Sequence, residues 1–301
     1  VEGSGVADSN TVTINGGTTI YVFGGMSVGS GNVTNNTVSV KSGTVNGFIM
    51  GGCMGDDGTG VSKNNTVIID PTGNLNISAA SIYGSGSIND DTILNVPITH
   101  DRDASGNQLG NTLDVYGKGI TAKNVANFTN INFYLPSTIQ NKDTVLTLTD
   151  TAGTDVSYST VKAGIVGNAN ISAGDKIYLL TNANGLTTTG TTYGKLTEGV
   201  SLDYDLDVHQ DGNSIVATID SAPSNGGGSN GNGGGTIKSQ TKSLVETRTA
   251  AMGFLNSGAD SIDNVIPTID KGTYEPFVQT DAADMRYNTG SYSNVHGSHA
   301  M

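Results

Sequence analysis

The sequence is poor in charge, and the charge it has is mostly negative. Charged residues make up 14% of the chain, against about a quarter in an ordinary globular domain. There are 14 Lys and Arg against 27 Asp and Glu, which gives a formal net charge of −13, and the basic residues form no cluster. Binding to nucleic acid or to anionic lipid surfaces is therefore disfavoured.

Cysteine and long apolar runs are also scarce. Cys53 is the single cysteine, which excludes an internal disulfide framework, and we interpret it as a small apolar side chain on a coil. No uninterrupted apolar run is long enough for a transmembrane helix, so none is predicted. The chain begins at Val1 in mid-repeat and without a signal peptide, so we expect it to be a fragment.

Glycine, by contrast, is abundant, and Thr, Ser and Asn accompany it. There are 43 glycines in 301 residues, roughly twice the usual share. Equivalent positions of successive coils in a β-solenoid lie about 4.8 Å apart, so a repeated charge would face its own copy, whereas Asn can hydrogen-bond along the stack. Glycine and Asn also tolerate the positive φ of tight turns. The composition therefore favours a stacked β-structure over a disordered low-complexity chain.

A short phrase, Asn-Thr-Val or a close variant, recurs along the first part of the chain. Its copies are Asn10-Thr11-Val12, Asn36-Thr37-Val38, Asn65-Thr66-Val67, Asp91-Thr92-Ile93 and Asn111-Thr112-Leu113. The steps from 10 to 36, 65, 91 and 111 are 26, 29, 26 and 20 residues. A period in the twenties is typical of one coil of a solenoid. We expect the apolar residues Val12, Val38, Val67 and Ile93 to stack in one internal column, beside a ladder of Asn10, Asn36, Asn65 and Asp91.

A second element recurs between the copies of the phrase. It reads Val22–Met26, Ile49–Cys53 and, more faintly, Ile82–Gly86. Together the two elements predict an all-β chain with a right-handed parallel β-solenoid, or β-helix, over residues 1–122. Residues 123–222 lose the period but remain strand-like and gain aromatics, and we predict a C-terminal β-region that caps the stack.

The composition changes after the β-region. Residues 223–236 are a Gly, Ser and Asn linker. Residues 237–258 contain good helix formers and are predicted to form a single helix that ends near Gly258. Residues 272–301 return to a strand pattern with a turn at Asn288-Thr289-Gly290, so we predict one or two strands, at most a hairpin.

The order of these parts resembles a bacterial autotransporter of type V secretion. Phe128–Pro136 and Gly174–Leu180 are similar to the C-terminal folding region of many passenger domains. Met285–Ser291 resembles the first hairpin of the translocator barrel, preceded by a segment like the pore helix. The resemblance implies a passenger that is displayed at the cell surface or secreted, after passing through its own outer-membrane barrel. The chain departs from the family because it holds at most two strands of that barrel.

The resemblance also implies a function. An adhesin or a structural stalk is expected, with a surface glycan or protein of host or bacterium as partner and with an outer-membrane anchor in the intact protein. We expect no enzyme activity, no catalytic residue, no cofactor and no metal. The alternative is a secreted carbohydrate-active β-helix enzyme, which would require Asp56, Asp57, Asp101 and Asp103 to converge in one groove.

Three local patterns resemble motifs that carry chemistry. Gly25-Met26-Ser27-Val28-Gly29 matches the nucleophile elbow but lacks a strand-to-helix context. Asp101, Asp103, Ser105 and Gly106 begin like a calcium loop, although Thr112 stands where the loop needs Glu, so a polar turn is the other interpretation. Asp203, Asp205 and Asp207 alternate with apolar residues, which predicts a half-buried strand with a solvated acidic face rather than a carboxylate site.

Overall fold

The computed structural model describes residues 2–55, 59–88, 100–196, 202–221, 236–237, 252, 280–288 and 292–300. These residues fall into two units, the first within residues 2–221 and the second within residues 236–300.

The first unit is built of β-strands. They are β1 (Ala7–Asp8), β2 (Thr11–Phe23), β3 (Met26–Ser27), β4 (Val33–Thr34), β5 (Thr37–Gly55), β6 (Ser62–Lys63), β7 (Thr66–Ile69), β8 (Leu75–Ile88), β9 (Thr112–Tyr116), β10 (Ile120–Ala126), β11 (Asn130–Pro136), β12 (Thr144–Leu148), β13 (Thr154–Asp155), β14 (Thr160–Val166), β15 (Lys176–Asn182), β16 (Leu186–Thr187), β17 (Thr192–Lys195), β18 (Leu202–Asp203), β19 (Asp205–Asp211) and β20 (Ser214–Ser221).

These strands form a β-solenoid of about six turns, so the prediction of an all-β solenoid is confirmed. Strands from successive coils pair in parallel, with β2, β5, β7, β9, β11, β14 and β17 following one another on the first face. On the second face the second halves of β2 and β5 are followed by β8, β10, β12 and β15. The handedness of the coil stays a prediction.

The predicted apolar column is confirmed where the chain is described. Val12 pairs with Val38, and Val38 pairs with Val67. The next member is Leu113, which pairs with Val67, whereas Ile93 lies outside the described residues. Alternate residues of each strand point inward, and Val38, Val67 and Leu113 are fully buried.

A second internal column runs along the second face. Val22 pairs with Ile49, Ile49 with Ile82, and Ile82 with Val125. The last three of these side chains have no exposed surface. Because each column takes one apolar residue from every coil, the core is a continuous stack, and no coil could bury its apolar face alone.

The stacking continues past the boundary predicted at residue 122. β10 spans residues 120–126, and β11, β14 and β17 add further parallel strands. Parallel order on the second face ends where β15 pairs with β20 in the antiparallel sense, and β20 pairs likewise with β19. The predicted role of residues 123–222 as a cap stays a prediction.

The second unit is described in part. Its strands are β21 (Thr236–Ile237), β22 (Thr280–Asn288) and β23 (Tyr292–Ala300), and Met252 is helical. β22 and β23 form an antiparallel hairpin, within the range predicted for it. The predicted start of the helix at Ile237 is wrong, because the β-branched pair Thr236-Ile237 is extended. Apart from these residues, the linker 223–236 and the helix 237–258 lie outside the described residues.

Candidate functional site

Each coil of the N-terminal half turns a corner immediately before the phrase strand. The residue two positions before the Thr of the phrase has a positive φ: 56° at Ser9, Asn35 and Asn64, and 81° at Gly110. Asn and Gly tolerate this region better than other residues. The turn brings the following Asn side chain to the inside of the corner, where Asn36, Asn65 and Asn111 are fully buried.

The Asn side chains form the predicted ladder. The Nδ2 of Asn10 donates to Oδ1 of Asn36 at 2.8 Å, Asn36 donates to Asn65 at 3.0 Å, and Asn65 donates to Asn111 at 3.1 Å. The same oxygens also accept the backbone N–H of the preceding Asn, at 3.0, 3.0 and 2.9 Å. Each Asn thus joins its own coil to the next one. We call these four residues the amide corners.

The predicted place of Asp91 in the ladder is wrong. Asn65 bonds directly to Asn111, so Asn111 is the next rung, and Asp91 itself lies outside the described residues. The physical reason is that a carboxylate accepts hydrogen bonds but cannot donate one onward. Only a residue with both an acceptor and a donor can continue the chain of rungs.

The recurrent Gly-Gly element provides the space for the ladder. A Cβ on Gly25 would lie 2.7 Å from Nδ2 of Asn36, and a Cβ on Gly52 would lie 2.6 Å from Nδ2 of Asn65. On Gly84 it would lie 2.7 Å from Cβ of Asn111. Any side chain at these positions would displace an Asn. The two recurrent elements of the sequence are therefore the two sides of one contact.

Asp101 ends the ladder. Its Oδ1 accepts from Nδ2 of Asn111 at 2.6 Å, and its Oδ2 accepts from the backbone N–H of Asn111 at 2.9 Å and from Oγ1 of Thr129 at 2.5 Å. The side chain is buried, with 5% of its surface exposed. Burial raises the pKa of Asp101 above its ordinary value, and the hydrogen bonds from Thr129 and Asn111 partly offset that shift.

Hydroxyl groups replace the amides in the coils that follow. Strand registers place Thr129, Ser159 and Thr191 at the positions equivalent to the ladder. Ser159 Oγ donates to the carbonyl of Phe128 at 2.7 Å, and Thr191 Oγ1 donates to the carbonyl of Val156 at 2.9 Å. We call these three residues the hydroxyl corners. Ser159 and Thr191 thus bond to the main chain of the preceding coil. Thr129 accepts the backbone N–H of Gly110 at 2.9 Å and donates to the carboxylate of Asp101.

Aromatic rings line the outer surface of the second face. Val22, Ile49 and Ile82 point inward, so their neighbours point outward. The rings of Tyr21 and Phe48 are stacked at 5.7 Å between centroids, those of Phe48 and Tyr83 at 5.8 Å, and those of Tyr21 and Phe23 at 6.2 Å. We call these four residues the aromatic strip.

The aromatic strip is most accessible at Tyr21. Tyr21 is 49% exposed, whereas Phe23, Phe48 and Tyr83 are half-buried. Burial raises the pKa of Tyr83. A separate pair, Tyr116 and Tyr134, stacks on the first face at 4.3 Å with nearly parallel rings. Half-exposed aromatic rings offer apolar contact area with little conformational entropy to lose, which suits a binding surface.

The predicted calcium-like loop forms a hydrogen-bonded polar turn. Asp103 accepts the backbone N–H of Ser105 at 2.9 Å and of Asn107 at 2.8 Å, and Asn107 Nδ2 donates to it at 3.0 Å. Asp101 contacts the ladder instead. Among the residues that the structure describes, no group of three His, Cys, Asp or Glu side chains is placed to hold a metal ion. Asp56 and Asp57 lie outside the described residues, so convergence of the four acidic residues stays untested.

A groove of about 310 Å³ lies beside this turn. Asp103, Leu109, Met54 and Asn127 are among its lining residues. Asn127 has a φ of 59° and donates its Nδ2 to the carbonyl of Ser85 at 2.9 Å. Its Oδ1 is buried without a hydrogen-bond partner among the described residues. The groove is lined by polar and apolar residues together, and the unpaired oxygen of Asn127 is buried rather than exposed in it.

The serine of the elbow-like pentapeptide, Cys53 and the three alternating Asp residues all lie in β-strands of the solenoid unit. Ser27 of the elbow-like pentapeptide is fully buried in the short strand β3, so its Oγ is not presented at a strand-to-helix turn. Cys53 is buried, as its apolar interpretation predicts. Asp205 and Asp207 are exposed while Leu206 is buried, which confirms the half-buried acidic strand.

Comparison with family models, with curated proteins and with solved structures gives no match. Within the part of the chain that is described, no helix combines the length and the apolarity that crossing a membrane requires.

The site features that sequence reasoning missed are the hydroxyl corners, the termination of the ladder at Asp101 and the aromatic strip. The aromatic strip had a signal, since Tyr21, Phe48 and Tyr83 each lie next to the inward residue of the second recurrent element.

Proposed function

We propose that this chain is part of an autotransporter passenger together with the beginning of its translocator, and that the solenoid acts as an adhesin or a structural stalk at the cell surface. The observation that carries the proposal is the continuous stack of about six turns, with the aromatic strip on its outer surface. The order of solenoid, β-region and C-terminal hairpin supports it.

The stack suits a secreted chain that folds as it emerges. Each coil contacts only its neighbours, so folding can proceed coil by coil without waiting for distant segments. Each further coil also needs only one ladder bond and one apolar residue per column from the coil before it. Cys53 is the single cysteine and is buried, so no disulfide has to form before or after passage through a pore.

The aromatic strip supports an adhesive role over a purely structural one. Exposed ring faces and edges pack against the apolar C–H surfaces of sugars and against apolar side chains of proteins. Tyr21, the most exposed member, lies in a strand without any charged residue. The proposed partner is therefore a neutral surface of a glycan or protein.

Display can be tested by placing the chain upstream of a complete autotransporter translocator in a Gram-negative host. Intact cells are then treated with protease, and the fragments that remain on the surface are identified. We expect a surface-exposed fragment covering residues 2–196 that resists digestion, and none from cells that carry the translocator alone. Retention of the chain inside the outer membrane would contradict the proposal.

Adhesion can be tested with the same cells on immobilised glycans and surface proteins. Replacing Tyr21 and Phe48 by Ser should reduce binding about tenfold or more, because the loss of two ring contacts is worth roughly 1–3 kcal/mol. The matched control replaces Tyr116 and Tyr134, the stacked pair of the first face, by Ser. Equal loss in both double variants would argue for a general effect on the fold, and no loss in either would favour the stalk.

A further inference from the structure

One corner of the stack has an unusual residue at its turn. Among the described corners that have a positive φ two positions before the first-face strand, the other coils have Ser, Asn or Gly there: Ser9, Asn35, Asn64, Gly110 and Gly190. In the coil of Ser159 the residue is Tyr158, with a φ of 62°. This conformation is unfavourable for a bulky side chain. Residues held in such a conformation cluster at functional sites.

Tyr158 contacts two residue types that are rare in this chain. Residues 1–208 contain a single arginine, Arg102, and a single histidine, His100. The guanidinium carbon of Arg102 lies over the Tyr158 ring, 4.4 Å from its centroid, and the His100 ring packs edge to face against it with 4.8 Å between centroids. The next coil leaves space for the ring, because a Cβ on Gly190 would lie 2.7 Å from Cδ1 of Tyr158. We call His100, Arg102 and Tyr158 the Tyr158 cluster.

The Tyr158 cluster is accessible to solvent. Tyr158 is 38% exposed, Arg102 is exposed and His100 is half-buried. Arg102 donates from Nη1 to the carbonyl of Gly106 at 3.2 Å. This bond uses one of the five N–H groups of the guanidinium. Most of the donors of Arg102 are therefore left for solvent or for a ligand.

The carboxylates next to Arg102 in the sequence are engaged elsewhere. Asp101 accepts its hydrogen bonds inside the stack, and Asp103 accepts those of its own turn. Among the residues that the structure describes, Arg102 forms no ion pair. The chain as a whole carries a formal net charge of −13. The Tyr158 cluster is thus a local positive site on an acidic protein, and its charge is available to an anion.

We infer that the Tyr158 cluster binds an anionic sugar, in which a carboxylate or a phosphate is carried on a saccharide ring. The planar guanidinium of Arg102 matches either anion with two parallel hydrogen bonds. The accessible part of the Tyr158 ring packs against the C–H surface of the saccharide. Gln108, whose Nε2 donates to the carbonyl of Tyr158 at 3.0 Å, is exposed beside the cluster, and its amide oxygen can accept a sugar hydroxyl.

A saccharide fits this site better than a polyanion does. The site has one guanidinium, which pairs with one anionic group, and the net charge of −13 repels a ligand that carries many such groups. In a sugar acid or a sugar phosphate, neutral hydroxyl groups surround the single charge. A ligand also accounts for Tyr158, because Ser, Asn or Gly would make the same turn without providing a ring. The inference uses no residue of the aromatic strip and does not depend on display at the cell surface.

The test is a titration of the purified full chain with three derivatives of one sugar, observed by ligand NMR at low salt. They are methyl glucuronide, which carries a carboxylate, glucose 6-phosphate, and the neutral methyl glucoside. We expect at least one of the two anionic sugars to bind about tenfold or more tightly than methyl glucoside, because hydrogen bonds to charged groups are the stronger ones. Comparison of the two anionic sugars shows whether the preferred group is the carboxylate or the phosphate.

Two variants and a control locate the site. Arg102→Gln should remove the preference for the anionic sugar, whereas Arg286→Gln, the same change in β22, should bind like the unchanged chain. Tyr158→Asn introduces the residue that stands at the equivalent positions 35 and 64, so the turn is kept and the variant should fold. Its affinity should fall about fivefold or more with the loss of the ring. Urea denaturation checks that each variant is folded.

Four results would overturn the inference. They are the failure of both anionic sugars to bind, equal binding of the neutral and anionic sugars, an equal loss of binding in the two Arg variants, and full binding by Tyr158→Asn. The last result would show that the ring serves only to hold the turn of residues 101–110 against the stack.

Discussion

The amide corners and the hydroxyl corners solve the same problem in different ways. Both fill the inside of the turn that precedes the strands of the first face. In the N-terminal coils, the side chain of each Asn bonds to the next Asn, for example Asn36 to Asn65 at 3.0 Å. In the C-terminal coils, Ser159 and Thr191 bond to the main chain of the preceding coil.

The difference shows why the residues at one kind of corner must repeat from coil to coil, whereas the residues at the other kind can vary. A ladder bond needs an Asn at both rungs, and at two rungs it also needs a glycine opposite the Asn, as at Gly25 and Gly52. A hydroxyl bonded to a main-chain carbonyl requires only that a carbonyl be there, and every residue has one. The C-terminal coils can therefore vary in sequence and place a bulky ring, Phe128, at the corner, where it is 3% exposed.

The largest effect is expected when one rung is removed from the ladder. Asn65→Ala deletes two ladder bonds and the donor to the carbonyl of Val33 at 3.1 Å. It also leaves the backbone N–H of Asn36 and one of the two N–H groups of its buried Nδ2 without an acceptor, while the other keeps the carbonyl of Ala7. The free energy of unfolding should fall by about 3 kcal/mol or more. Ser159→Ala, the matched change at a hydroxyl corner, should cost about 1 kcal/mol. Urea denaturation of both variants measures the difference, and equal losses would remove the distinction between the two kinds of corner.

The next effect concerns the glycines that face the amide corners. A Cβ on Gly52 would lie 2.3 Å from Oγ of Ser62 and 2.6 Å from Nδ2 of Asn65, so Gly52→Ala should lower the free energy of unfolding by about 2 kcal/mol. Gly194→Ala in β17 would meet only Cγ of Lys162, at 3.9 Å, and should stay within about 0.5 kcal/mol. Thermal unfolding separates the two, and a tolerated Gly52→Ala would show that the ladder can shift to make room.

A smaller effect concerns the pH dependence at the junction between the two kinds of corner. Burial raises the pKa of Asp101, so the folded state binds its proton more tightly than the unfolded state. The stability contributed by this group is present below its unfolded pKa and is lost as the pH rises through the folded pKa. Relative to Asp101→Asn, the unchanged chain should therefore become less stable as the pH rises through that interval.

Asp103, in the exposed turn, is the control, because its contribution to stability should change with pH in the opposite direction. Hydrogen bonds from Asn107 lower the pKa of Asp103. Its contribution is present above the unfolded pKa and is lost as the pH falls through the folded pKa. Urea midpoints measured from acid to neutral pH for Asp101→Asn and Asp103→Asn should show slopes of opposite direction relative to the unchanged chain. Slopes of the same direction would contradict the assignment.

The smallest effect is expected for the stacked rings. Double-mutant cycles to Leu should give a coupling of about 0.5–1.5 kcal/mol for each pair. The coupling should be larger for Tyr116 with Tyr134, whose centroids are 4.3 Å apart, than for Tyr21 with Phe48 at 5.7 Å. The reverse order would indicate that the aromatic strip contributes more to stability than its exposure suggests.

The sequence predicts the N-terminal coils well because the same residue type, Asn, occurs at each rung of the ladder. Asn10, Asn36 and Asn65, with the valines two positions later, mark the ladder and the apolar column directly. No recurrent sequence motif identifies the hydroxyl corners. The strands that follow them begin at 130, 160 and 192, and the strand after the last amide corner begins at 112. The steps are therefore 18, 30 and 32 residues, and a fixed period misses them.

The end of the ladder could not be predicted for a different reason. Asp101 precedes Asn111 in the sequence but lies beyond it in the ladder, where the next rung would be. Nothing in the local pattern Asp-Arg-Asp indicates that the first carboxylate faces inward to Thr129 while the second remains in the turn. Such an assignment needs the path of the chain in space, which the spacing of residues alone does not provide.

The ladder also has a direction. Asn10, Asn36 and Asn65 each donate through the side-chain nitrogen to the oxygen of the Asn in the coil after them, and Asn111 donates to Asp101. The side-chain amide dipoles are therefore aligned head to tail, with their positive ends toward Asn111, and each polarises the next. The carboxyl group of Asp101 lies at that positive end, in the position that an acidic side chain takes at the N-terminus of a helix. The four rungs therefore form one series of aligned dipoles that ends at Asp101, and we expect its electrostatic environment to depend on the whole series and not on Asn111 alone.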